Sequence, residues 1–183
     1  MTTREFEVEA YKFLASLAAD PRVQTLRKAD LASPDHVSYK CGSSESFEAM
    51  RRLLEGEYVS DYVHQSCIAG RRIAYFRLHS ALCHALHAPF GPISFVELAD
   101  QKPDGSQQDG FDHIEIYPRK SNKPYEVITY QKLVSEVLGL FPGSRVHYVG
   151  QFHRTTWDVL FENGAILRLT QGPLIEKIKR EMQ

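Results

Sequence analysis

His36 and His113 stand at the same place in two near-copies of one phrase, Asp-His-Val-Ser-Tyr-Lys at 35–40 and Asp-His-Ile-Glu-Ile-Tyr at 112–117. A neutral imidazole is the commonest side-chain ligand for a transition-metal ion. Glu97 lies in Ile-Ser-Phe-Val-Glu-Leu-Ala-Asp at 93–100, where extended backbone puts it on one face with Ile93, Phe95 and Ala99. A carboxylate among such neighbours is costly unless it is paired, hydrogen-bonded or bound to a cation. Two imidazoles and one carboxylate drawn from three strands make a donor set for a divalent ion, with positions left open for water or substrate. Zinc, iron, manganese and nickel all remain possible occupants.

Other side chains sit within reach of that set. Glu115 shares a strand face with His113 at about 6–7 Å along the chain and is the first candidate for a general base. In Arg-Ile-Ala-Tyr-Phe-Arg-Leu-His-Ser at 72–80, Tyr75, Arg77 and His79 alternate onto one face, and Arg77 is a candidate partner for a substrate carboxylate. Each has a plainer reading as well. A strand histidine taken alone is ordinarily a hydrogen-bonded or surface group, Glu115 an exposed strand carboxylate, and Tyr75 with Arg77 a solvated sheet face. The run His79, Cys83, His84, His87 has helical ligand spacing, but Pro89, Phe90 and Gly91 indicate a loop there. Trp157 reads as core packing.

The elements that must position these groups follow one order twice. From residue 34, a strand at 35–41 leads through Gly-Ser-Ser-Glu-Ser, an N-cap signal, into a helix at 47–57 with Phe47, Met50 and Leu54 on one face. Strands at 58–68, 72–80 and 93–100 follow, the first two joined by a turn around Ala69-Gly70. The polar stretch 101–110 is rich in turn formers. Beyond it come a strand at 112–118, a helix at 124–141 with Val127, Tyr130, Val134, Leu138 and Phe141 at helical spacing, and strands at 145–152, 155–162 and 165–171. Glu162-Asn163-Gly164 turns between the last two, and 173–183 predicts a short closing helix with proline at its start. Ahead of all this, Phe6, Ala10, Phe13 and Leu17 mark a helix that stops at Asp20-Pro21, with a weaker helical piece over 22–31.

The expected architecture is therefore α+β. Paired βαβββ modules form a curved mixed sheet around a metal cleft, with a helical extension at 1–33. The first module spans 34–100, the linker 101–111, and the second module with its C-terminal helix 112–183, together one compact unit. The repeat further implies that the two opening strands meet near a pseudo-twofold axis, so that His36 and His113 converge.

Composition narrows the partners. Of 183 residues 43% are apolar and 25% charged, which suits an ordinary soluble domain rather than a disordered chain. A formal charge of −1 with no long basic run argues against nucleic acid. No apolar stretch is long enough to span a bilayer, and the N-terminus lacks an export pattern. Three cysteines without a Cys-x-x-Cys pair read as reduced core thiols, so the expected compartment is the cytoplasm. The oligomeric state is not encoded in any of these features.

The phrases at 35–40, 95–100 and 112–117 resemble the metal-binding strands of the vicinal oxygen chelate superfamily, most closely its YecM-type proteins. The resemblance runs from about Pro34 to the C-terminus. Members include glyoxalases, epimerases, ring-cleaving dioxygenases and metal-free drug-binding proteins. The resemblance implies that His36, Glu97 and His113 are the metal ligands. It also implies a divalent-metal-dependent enzyme of isomerase, lyase or dioxygenase type, acting on a dicarbonyl, 2-oxo acid or diol. A non-catalytic small-ligand or metal-binding protein on the same fold is the alternative. The last strand departs from the glyoxalase-like pattern: no glutamate stands where a fourth ligand belongs, and Arg168 or Thr170 occupies that neighbourhood. This speaks against an isomerase mechanism that needs two glutamates. Two neutral imidazoles, one carboxylate and a divalent ion carry a charge of about +1, which favours a small anionic substrate.

Overall fold

A computed structural model of the chain describes residues 1–56, 60–79, 86–120, 128–149 and 154–181. Helix α1 (Thr3–Ala18) starts at Thr2, whose hydroxyl and the Glu5 side chain cap each other's backbone amides, and it buries Phe6, Ala10, Leu14 and Leu17. Leu14 rather than Phe13 lies at the centre of the buried stripe; Phe13 packs at its edge and stacks on Phe111. Helix α2 (Pro21–Lys28) has Asp20 as N-cap and proline in its first turn, where a missing N–H costs nothing.

Strand β1 (Ala32–Lys40) is followed by α3 (Ser44–Leu54), β2 (Ser60–Ile68) and β3 (Arg71–Leu78). Ala69 and Gly70 both have positive φ, 52° and 77°, which gives the β2–β3 hairpin the tight turn its strand twist requires. A two-residue pair, β4 (His87–Ala88) and β5 (Gly91–Pro92), forms a separate ribbon where the sequence predicts only a loop. Then come β6 (Phe95–Ala99), β7 (Gly110–Pro118), α4 (Tyr130–Leu140), β8 (Arg145–Val149), β9 (Arg154–Leu160), β10 (Ile166–Leu169) and α5 (Leu174–Glu181).

Helix α4 is shorter than its periodicity predicts. Thr129 accepts from the Lys132 amide and sets the start there, and the buried residues are Leu133 and Val137, with Tyr130 and Val134 packed at the edge of the core. Val127 lies outside the described residues. Among the described residues no helix is long and apolar enough to cross a membrane.

The main sheet runs β2-β3-β6-β1-β7-β10-β9-β8, a curved, unclosed, mixed sheet. Its centre is the antiparallel pair β1 and β7, and each of these is flanked by a parallel partner, β6 beside β1 and β10 beside β7. The two opening strands thus meet in the middle, as the duplicated phrase implies. One face carries Val37, Tyr39, Val96, Leu98, Ile114, Ile116, Leu167 and Leu169, all at most 3% exposed, and is covered by α1 to α4. Period-two alternation then obliges the residues between them to face the other way.

On that other face α5 crosses back from the second half of the chain. Its Leu174 and Ile178 pack on Ile73, Tyr75, Phe95 and Ala99 of the first half. The 101–109 stretch is stitched down as well: the buried Gln107 amide donates to the carbonyls of Cys41 and Asp100, and Asp109 accepts from the Gly42 amide.

Candidate metal centre

Register fixes which side chains meet on the open face. Across β1 and β6, His36 pairs with Phe95 and Ser38 with Glu97; across β1 and β7, His36 pairs with Glu115 and Ser38 with His113. Side chains paired in register project to the same side, so His36, Ser38, Glu97, His113 and Glu115 converge. One nitrogen from each histidine and one oxygen of Glu97 all lie within 4.8 Å of one another. Asp35, His36 and Glu115 form a second, overlapping group of the same tightness.

Each histidine is held by the aspartate that precedes it. His36 Nδ1 lies 3.2 Å from Asp35 Oδ2, and His113 Nδ1 lies 2.8 Å from Asp112 Oδ2. Since a carboxylate only accepts, both Nδ1 atoms carry the proton and both Nε2 lone pairs face the centre. His36 Nε2 is buried and has no hydrogen-bond partner. It stands 3.7 Å from Glu97 Oε2 and 3.7 Å from Glu115 Oε2, and His113 Nε2 is 3.9 Å from Glu97 Oε1. These spacings are too long for hydrogen bonds and suit atoms that share one ion through bonds of about 2.0–2.2 Å. The donor set fits a divalent metal.

The charges agree with this arrangement. Burial alone would drive the His36 pKa down, but the Glu115 charge, the Asp35 hydrogen bond and Glu97 together raise it above its ordinary value. For His113, burial and the nearby Arg168 guanidinium prevail over Asp112 and Glu97, and the pKa is lowered. Burial pushes the Glu97 pKa up, yet His36, His113 and the hydrogen bond from Ser38 Oγ, 2.9 Å from Oε1, leave it below the usual value. Asp112 is also held well below the carboxylate range, because its hydrogen bonds and charge contacts with His113 and Lys40 outweigh burial.

Of the two residues expected near the absent glutamate, Thr170 is buried just past Leu169, the end of β10, and Arg168 pairs in register with Glu115 of β7. Its Nε and Nη2 donate to Asp158 Oδ1 and Oδ2 at 2.8 and 2.9 Å, and Nη1 lies 3.3 Å from His113 Nε2. Of the other candidates, Arg77 and His79 lie apart from this cluster and Tyr75 adjoins it beside Glu97. Arg77 is exposed, two strands away from His36 on the same face, with its guanidinium 5.8 Å from the Phe95 ring centroid. Tyr75 pairs with Glu97 in register and packs under α5. His79 Nε2 is 3.9 Å from Asp61 Oδ1, Cys83 and His84 lie outside the described residues, and Trp157 packs against the main core. Cys41 is a buried thiol pushed up to about 12 by desolvation. Cys67 is exposed on the edge strand β2, so it is no core thiol.

The supporting groups Asp35, Asp112, Ser38 and Asp158 were not singled out from sequence. The repeated Asp-His dipeptide was a usable signal for the first two. Asp158 had none, because its role depends on β9 lying beside β10.

Comparison with known proteins adds the following. The family model described as "YecM protein" matches residues 4–138. No curated protein matches the chain. Among solved structures, a structural-genomics protein, EC4020, is 21% identical over 98% of this chain and 92% of that chain, with a TM-score of 0.67. Hydroxyglutarate synthase from Oryza sativa, in complex with 2-oxoadipate, is 8% identical over 96% of this chain and 83% of that chain, with a TM-score of 0.50. Methylmalonyl-CoA epimerase from Mycobacterium tuberculosis is 12% identical over 79% of this chain and 91% of that chain, with a TM-score of 0.46. At these identities the first two establish a shared fold.

Proposed function

We propose that this chain, which belongs to the YecM protein family and has the paired βαβββ vicinal oxygen chelate fold, is a divalent-metal-dependent enzyme acting on a small oxygen-chelating substrate. His36, Glu97 and His113 would hold the ion. The observation that carries this reading is His36 Nε2, buried, without a hydrogen-bond partner, and facing two carboxylates at 3.7 Å. When bound, a divalent ion supplies Lewis-acid polarisation of substrate oxygens. Zinc, iron, manganese and nickel are all compatible with two imidazoles and a carboxylate.

The protein's own groups divide the remaining work. Asp35 and Asp112 fix the imidazole tautomers, and Ser38 orients Glu97 by hydrogen bonding to its Oε1. Glu115, 5% exposed and beside His36, is placed to take a proton from a substrate carbon or hydroxyl at the centre. Helix α5, packed over Tyr75, keeps bulk water from that side of the cluster. A second reading, a binding protein that works without metal, draws support from the Arg168 Nη1 donor lying on His113 Nε2.

Elemental analysis of protein purified without a histidine-rich tag or added metal tests the proposal. Wild type should carry a near-stoichiometric divalent ion, and His36→Ala or His113→Ala should each lose at least about 100-fold in metal affinity with the circular dichroism spectrum preserved. Unchanged metal content in either variant would refute the ligand assignment. Wild type free of metal and unable to take it up would leave the binding-protein reading.

A further inference from the structure

We infer that Arg168 is a substrate-binding residue that anchors a carboxylate beside the metal, which makes the substrate a 2-oxo or 2-hydroxy acid rather than an uncharged dicarbonyl or diol. The inference rests on the metal reading and narrows it.

Strand register supplies the first reason. His113 pairs with Ile166 and Glu115 with Arg168 across β7 and β10, just as His36 pairs with Phe95 and Ser38 with Glu97 across β1 and β6. Arg168 is therefore the counterpart of Glu97 in the second half, and its side chain is aimed at the same centre from the opposite side. A cation sits where the duplicated fold would place an anionic ligand.

The guanidinium's donors supply the second. Asp158 takes Nε and Nη2 in a two-pronged contact, which fixes the plane of the group and leaves the Nη1 edge directed inward at His113 Nε2, 3.3 Å away. That nitrogen has one lone pair. When a metal ion takes it, Nη1 loses its acceptor, and two cations then face each other across a buried centre in which the Arg168 side chain is only 15% exposed. Repulsion of this kind in a low-dielectric site is relieved by an anion placed between them. A carboxylate answers both demands. One of its oxygens, with the neighbouring carbonyl or hydroxyl oxygen, chelates the ion, and the other accepts from Nη1. An uncharged dicarbonyl offers the chelating oxygens but no charge for Arg168.

The test uses the full chain loaded with Co2+, and two probes of nearly the same shape: pyruvate, a 2-oxo acid, and diacetyl, in which a methyl group replaces one oxygen of the carboxylate. Co2+ uptake is read first from its visible absorption, and probe binding next from calorimetry and the change in that absorption. Wild type should bind pyruvate at least about tenfold more tightly than diacetyl. Arg168→Gln, and the double variant Arg168→Gln/Asp158→Asn that removes the ion pair as a unit, should cut that preference by about tenfold while holding Co2+ at least as tightly as wild type does. Arg168→Lys should restore part of it. A pyruvate preference that is undiminished in the folded, Co2+-loaded glutamine variants overturns the inference and leaves the metal reading intact. So does a loaded wild type that binds pyruvate no better than diacetyl, or not at all. Failure of wild type to take up Co2+ is a different outcome: it overturns the metal reading, and this inference with it.

Discussion

The two halves of the sheet share a skeleton and differ in what they present to the centre. Each opens with an Asp-His pair in which the aspartate holds Nδ1 of the histidine, at 3.2 Å in the first half and 2.8 Å in the second. Each sets a parallel strand beside the opening one in equivalent register. The first half then offers Ser38 hydrogen-bonded to Glu97, whereas the second offers Glu115 paired in register with Arg168, and Asp158 behind it. The apolar face repeats because both copies must cover helices, and Val37 and Ile114 are each fully buried beneath them. The polar face is free to diverge, since nothing about packing the core depends on whether a side chain aimed into the hollow is an anion or a cation. A duplicated fold can thus give two equal half-sites groups of opposite charge, Glu97 and Arg168, beside a shared pair of histidines.

The common element of the comparison, the Asp-His pair, gives the largest expected effect. Asp35→Ala and Asp112→Ala should each lower divalent-metal affinity by about 10–100-fold, measured by competition against a chelating dye. They should differ in one respect. Asp35 Oδ2 also accepts from the Leu174 amide at 2.6 Å, the first residue of α5, so only Asp35→Ala should open the C-terminal helix to limited proteolysis. Loss of metal in just one variant would mean that the halves are not equivalent even in their shared motif.

The divergent element gives a smaller effect of opposite sign. Arg168→Glu/Asp158→Asn places a carboxylate at the counterpart of Glu97 without leaving Asp158 charged and unpaired. Metal affinity should rise by about tenfold in the same competition assay, as expected for an added anionic ligand. No gain would show that β10 is not aimed at the ion.

The smallest effect concerns protons. In metal-free protein the two histidines should titrate on opposite sides of the ordinary value of about 6.5, His36 above it because Glu115, Asp35 and Glu97 outweigh burial, and His113 below it because burial and Arg168 prevail. The linkage signs follow. The stability His36 contributes is complete below the unfolded-state value and is lost as pH rises through its higher folded value. The stability tied to neutral His113 is present above the unfolded-state value and is lost as pH falls through its lower folded one. Imidazole shifts followed by NMR as pH is varied to either side of that ordinary value would show both. Parallel titration of the two rings would contradict the charge asymmetry between the halves.

Much of the fold was legible because it depends on local periodicity. Alternation at 35–41, 93–100 and 112–118 marked β1, β6 and β7, and the serine-rich run at 42–46 signalled the start of α3, whereas Asp20 read as the stop of α1 and in the structure caps α2. Thr129 shows where that reading weakened: the apolar spacing continued upstream of it, but a threonine that caps the Lys132 amide sets the start of α4, and packing against the sheet buries Leu133 and Val137. The two-residue strands β4 and β5 had no periodicity to read. Of the candidate site, His36 and His113 stood out because they hold the same place in a repeated phrase, and Glu97 because it is a carboxylate among apolar neighbours. Asp158 did not, since an aspartate on an alternating strand looks like any solvated one.

The sequence by itself determined the alternation of each strand and hence which residues share a face, because side-chain direction in extended backbone depends only on parity. It also placed a histidine in each copy of one motif and withheld a glutamate from the last strand. The tertiary structure alone decided that Asp158 lies beside Arg168, that Arg168 turns its open edge to His113 Nε2, and that α5 returns to the first half to be held by Asp35. Those are contacts between residues of different elements, and they are fixed by how sheet register and core packing close together, a property no single segment carries.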